Sequence, residues 1–219
     1  MFSVLVYLFC AVIALWASRY FFALWKKNAL SSYGEFSIFF FLLATSFIIY
    51  ITPFIFGLSP VSGIWAQVGN FFTLFAFAFV LRSFVRFQGL SFSPNVITAL
   101  VTLASATEAF VAFLFPTAPV LADNLIYWHY PPANYIVYSV LIFLFTIIMA
   151  ITLLSNLKNI QKHQRQILFL GTGFITGGVG GVLLVSCNTF GLLLTSYVLL
   201  LLTFVLATLF LITSSNKKE

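Results

Sequence analysis

Tyr50, Gln67, Asn70 and Glu108 are side chains able to hydrogen-bond or ionise that stand inside predominantly apolar runs. Glu108, in VTLASATEAFVAFLF, is the one that ionises. A charged carboxyl inside a bilayer costs about 2.5 kcal/mol or more, so such a residue is retained for a purpose. Three uses fit a lone intramembrane glutamate: moving a proton, receiving a cationic or hydrogen-bond-donating ligand, or bonding a neighbouring helix for packing. Singly, the amide and phenol groups fit interhelical hydrogen bonds as well as ligand contacts.

These residues need helices to carry them. The chain has 219 residues, 62% of them hydrophobic and 6% charged, too much apolar surface for a soluble fold. About 20 apolar residues cross a bilayer, and seven runs qualify, at about residues 2–25, 36–57, 64–85, 96–115, 134–155, 165–187 and 192–213. Ser31, Ser32, Gly34 and Glu35 precede the second run, and Pro53 lies near its far end. The expected fold is an all-α bundle of seven transmembrane helices, a single domain over 1–219. The first run has no basic leader, so it is expected to be a retained helix rather than a signal peptide.

Spans alternate in direction, so their depths can be compared. At 1.5 Å per residue Glu108 lies roughly 18 Å from one edge of the core and on the order of 12 Å from the other. Asn70 comes out at about 12 Å, Tyr50 at about 10 Å and Gln67 at about 8 Å from that second edge. The four therefore share a layer, and facing inward together they would outline a small pocket. No lysine or arginine on the other spans reaches that layer, and Arg19 is too near the opposite edge. A cationic or hydrogen-bond-donating ligand is the natural partner for Glu108.

All ten lysines and arginines fall on one side of this topology. The positive-inside rule then places the N-terminus outside, the C-terminus in the cytoplasm and the protein in the plasma membrane. The net charge of +6 is scattered in twos and threes at segment ends, which argues against a nucleic-acid partner. On the outer side, the stretch 117–133 gathers Tyr127, Trp128 and Tyr130 among prolines, as suits a loop lying at the headgroup level, with a lid over a ligand as the alternative.

The sixth run, RQILFLGTGFITGGVGGVLLVSC, holds six glycines. Gly173, Gly177 and Gly181 repeat every fourth residue and form one smooth stripe, expected to receive neighbouring helices and to make this span a hub. Cys10 and Cys187 fit neither a disulfide framework nor a metal motif. The 29 phenylalanines point all ways around their helices and single out no site.

Several functions are excluded by missing groups. The last span has no lysine for a retinal Schiff base, and His129 and His163 lie in loops on opposite sides, so they cannot pair on a haem. No HExxH helix and no P-loop is present. No catalytic residue, metal or cofactor is expected, and the chain does not read as an enzyme.

Three stretches, IWAQVGNFFTLFAFAFVLRSFVRFQG, ANYIVYSVLIFLFTIIMAITLLSN with its Tyr138–Ser139 pair, and HQRQILFLGTGFITGGVGG, carry a resemblance. Together they resemble the N-terminal seven-helix sensor region of bacterial and archaeal histidine kinases. The chain departs from that pattern in having glycines where the family often has proline and asparagine in the sixth helix. No kinase follows within these 219 residues either. The resemblance implies a sensory module that takes a small or lipidic ligand from the outer side and signals through a membrane or cytoplasmic protein partner. A structural subunit of a larger membrane complex, packing through the glycine stripe, and a proton-coupled carrier centred on Glu108 remain as alternatives. Membrane lipid is a partner in every case.

Overall fold

The computed structural model describes residues 2–87, 93–155, 164–186 and 190–215. Eight helices and one hairpin follow in order: α1 (Phe2–Asn28), α2 (Ser31–Ile49), α3 (Thr52–Phe56), α4 (Pro60–Phe87), α5 (Pro94–Leu114), β1 (Val120–Ala122), β2 (Leu125–Tyr127), α6 (Pro132–Ser155), α7 (Gln164–Ser186) and α8 (Phe190–Ser215). α2 and α3 form one span, Ser31–Phe56, bent at Tyr50–Ile51 just before Pro53. Among the described residues, seven spans are long and apolar enough to cross a membrane, as befits a multi-pass membrane protein.

Local signals set the helix starts. Ser93 caps α5 by accepting from the Asn95 amide, with Pro94 in the first turn, where its missing N–H costs nothing. Ser59 and Ser62 exchange side-chain-to-amide bonds at the start of α4. Beyond their ends the spans are apolar on every side, and large side chains such as Leu103, Phe110 and Ile151 face outward. Without water to compete, each span closes its own backbone hydrogen bonds.

The helices close a ring in the order α1, α2, α4, α6, α7, α8, with α5 laid mainly on α4 from outside. At one end, Glu35 of α2 meets Arg82 of α4, Gly171 of α7 abuts Leu154 of α6, and Gln166 of α7 donates to the Thr213 carbonyl of α8. The described lysines and arginines, Arg19, Lys26, Lys27, Arg82, Arg86 and Arg165, all belong to this basic end. Lys158, Lys162, Lys217 and Lys218 lie outside the described residues, as do Cys187 and His163. At the other end the hairpin folds over the ring.

That hairpin departs from the headgroup loop expected for 117–133. β1 and β2 pair antiparallel, with Leu121 opposite Ile126. Asp123 and Asn124 take φ of 50° and 64° between them, as a two-residue hairpin turn of this hand requires. All of β2 is buried, together with Trp128 and Tyr130. The Ile126 amide donates to Ser3 Oγ at 3.0 Å, and its carbonyl accepts from Tyr197 at 3.4 Å. The aromatic cluster therefore plugs the bundle instead of floating beside it.

The glycine-rich α7 receives two neighbouring helices, α6 and α8, but it is not the most buried span. α4 is the most buried span, 56% against 39% for α7, and it touches α2, α3, α5 and α6, whereas α7 packs on α6 and α8. Glycine lets a backbone approach closely but adds no surface to bury. Burial follows the alanines and larger apolar residues of α4, such as Ala66, Leu74, Ala76, Phe77 and Val80.

Candidate functional site

Polar side chains collect where the hairpin meets the helices. Tyr50 donates its phenol proton to Asn70 Oδ1 at 2.6 Å, and Asn70 Nδ2 donates to Gln67 Oε1 at 2.9 Å. Ser46 bonds Thr73 at 2.6 Å and the Gly69 carbonyl at 2.8 Å, continuing the network between α2 and α4. A Cβ on Gly69 would come within 2.8 Å of the Tyr50 ring, so the glycine makes room for that phenol. Three of the four residues picked out by depth are thus joined directly.

Glu108 is the fourth, and it differs. Its side chain is fully buried (0% exposed), on the face of α5 turned toward α4. Asn70 is its polar neighbour, and Tyr50, Tyr130 and Tyr138 are close enough to feel its charge. Yet no donor meets either carboxyl oxygen with hydrogen-bond geometry. Among the described residues no cation pairs with it either. A buried acceptor without a partner forfeits on the order of 1–3 kcal/mol, more if charged.

A second network comes from the hairpin. Trp128 Nε1 donates to the Tyr7 hydroxyl at 3.2 Å, and Tyr7 bonds Tyr197 at 3.1 Å. The Trp128 ring packs on Tyr50 at 5.6 Å and stacks with Tyr130 at 6.3 Å. Burial, with the Tyr50 phenol alongside, pushes the Tyr130 hydroxyl well above the usual phenol range, so it stays protonated and able to donate.

Below these groups runs a cavity of about 110 Å³ between α2, α4, α6, α7 and α8. It is several times the roughly 10–15 Å³ that admits one water. Tyr50, Asn70, Thr73, Trp128, Tyr130 and Tyr138 form its polar end. Gln67 and Glu108 are not on its wall but stand behind Asn70. The remainder is apolar apart from Thr146 and Thr203, with Phe39, Phe47, Phe77 and Phe174 prominent. Sequence offers no way to choose these from 29 phenylalanines. Leu170 and Val185 both line it, and their separation along α7 makes the space about 22 Å long.

The glycines of α7 divide by face. Gly173, Gly177 and Gly181 line the cavity. A Cβ at Gly173 would find its nearest atoms at 3.8 Å, and one at Gly181 at 3.5 Å, both ordinary contacts. At Gly177 it would press on Thr203 Cγ2 at 3.2 Å. The tightest packing belongs to other glycines. A Cβ at Gly178 would collide with Thr146, one at Gly171 would meet Leu154 at 2.8 Å, and one at Gly180 would meet Leu199 at 3.1 Å.

One charged cluster escaped the sequence altogether. Glu35 lies inside α2, not ahead of it, and is 6% exposed. Arg86 Nη1 reaches it at 2.7 Å, Arg82 Nε at 3.1 Å and Ser83 Oγ at 2.6 Å. Arg82 also donates to Thr98 at 3.2 Å, tying α5 to the clamp. The spacing of Arg82, Ser83 and Arg86 over one helical turn is the signal that could have flagged it. The chain matches no family model, no curated protein and no solved structure.

Proposed function

We propose that the protein is a membrane-embedded, receptor-like module that binds an amphipathic ligand inside its bundle and passes the change to a partner protein. One observation carries this reading: a cavity about 22 Å long, mostly apolar along its length and polar at the hairpin end. Ligand sites of this kind are mostly apolar with a few converging polar groups. With the basic end cytoplasmic, as the positive-inside rule has it, the polar end lies in the outer leaflet of the plasma membrane. The ligand enters from there. Its presence spreads α7 and α8 from α2 and α4, and the ends of these helices on the cytoplasmic side engage the partner. The likeness to histidine-kinase sensor regions agrees with this role.

The test compares what the parent and a Gly173→Leu variant carry from the membrane into lipid nanodiscs. A Cβ at Gly173 meets only ordinary contacts, so the variant should fold with its cavity filled. Mass spectrometry of extracts should find a bound amphiphile enriched in the parent and lost from the variant. Equal content in both would overturn the reading.

A further inference from the structure

Glu108 stands out in this molecule as a fully buried carboxyl with neither oxygen hydrogen-bonded. Tyr50 has spent its only proton on Asn70, and Asn70 gives one amide proton to Gln67. The second amide proton of Asn70 and the nearby Tyr130 and Tyr138 hydroxyls do not meet the carboxyl with hydrogen-bond geometry. Asn70 is at once beside the carboxyl and on the cavity wall, so the unmet oxygens lie one side chain behind the polar end of the cavity. Around that end stand the rings of Tyr50, Trp128, Tyr130 and Tyr138, whose faces attract a cation. Among the described residues, no lysine or arginine shares this end to receive an anion. Away from it the cavity wall is chiefly aliphatic and aromatic, as suits a hydrocarbon chain.

We propose that the cavity takes an amphiphile with an amine head, Glu108 acting from behind Asn70 as counter-ion to the ammonium and the chain lying along α7 toward the basic end. The proposal rests on the cavity being a ligand site and adds the chemical class of the ligand. An ammonium brings three donors and a positive charge to a carboxyl that lacks both. A hydroxyl head brings one donor and no charge. A carboxylate head brings neither donor nor positive charge, and two carboxylates at one site repel.

Trp128 reports on the site. Trp16, Trp25 and Trp65 are exposed on the bundle surface, so changing all three to phenylalanine leaves Trp128 as the single fluorophore. In nanodiscs, chain-brominated hexadecylamine should quench Trp128 at lower mole fraction than the matched alcohol. The matched fatty acid should quench no better than brominated bilayer lipid. Glu108→Gln should weaken quenching by the amine about tenfold or more while leaving the alcohol unchanged. If amine and alcohol rank equally, or if Glu108→Gln keeps the preference for amine, the counter-ion assignment is overturned although the cavity still binds amphiphiles. If no chain quenches beyond the bilayer background, the cavity reading falls with it. Should Glu108→Gln not fold, the ranking on the parent protein decides alone.

Discussion

Glu35 and Glu108 are both buried glutamates on membrane-spanning helices, and their surroundings are opposite. Glu35, at the basic end, is held by two arginines and a serine, with distances of 2.6 to 3.1 Å. Glu108, near the hairpin end, has neither oxygen hydrogen-bonded among the described residues. The first is a fastening: it ties α2 to α4 and, through Arg82 and Thr98, to α5. The second is an opening, because a protein seeking only stability would replace an unpaired buried carboxyl with an apolar side chain. The contrast teaches that burial of a charge says little until its partners are known.

Removing the fastening should have the largest effect. Glu35→Ala leaves two guanidinium groups facing each other without their anion, at a cost of about 2–4 kcal/mol after allowing for the partial exposure of the arginines. Equilibrium unfolding in bicelles reads this directly. A loss no greater than that of an exposed surface substitution would erase the distinction between the two ends.

Cutting the hydrogen-bonded chain beside the opening comes next. Tyr50→Phe keeps the ring against Trp128 and removes the proton given to Asn70 Oδ1. The stranded acceptor should lower stability by about 1–3 kcal/mol in the same measurement. An unchanged unfolding midpoint would mean that Asn70 finds another donor and that the layer is less rigid than its distances suggest.

The smallest effect is expected at Glu108. Glu108→Leu removes two unmet acceptors from a dry site, so stability should stay within about 1 kcal/mol of the parent or rise. A large loss would show that the carboxyl is bonded in the folded protein and would make the two glutamates alike.

Much of this was legible in the residues. Seven apolar runs of bilayer length had to be helices, because hydrocarbon leaves backbone groups no other partner. A rise of 1.5 Å per residue was enough to put Tyr50, Gln67, Asn70 and Glu108 in one layer, and the Tyr50–Asn70–Gln67 chain runs through it. Depth is a one-dimensional property, fixed by position along a span.

Rotation about the helix axis is not. These spans are apolar all round, so no amphipathic stripe tells the inner face from the outer, and only packing against neighbours chooses. Tertiary structure therefore decided that Gly178 abuts α6 while Gly173, Gly177 and Gly181 line the cavity, although all sit within ten residues of one helix. It decided that Glu35 turns inward to Arg82 and Arg86, 47 or more positions away in sequence, and that Trp128 and Tyr130 fold in over the bundle. Length and hydropathy set what crosses the membrane and how deep each residue lies; the fit of one helix against the next set which side chains meet, and left Glu108 without a partner.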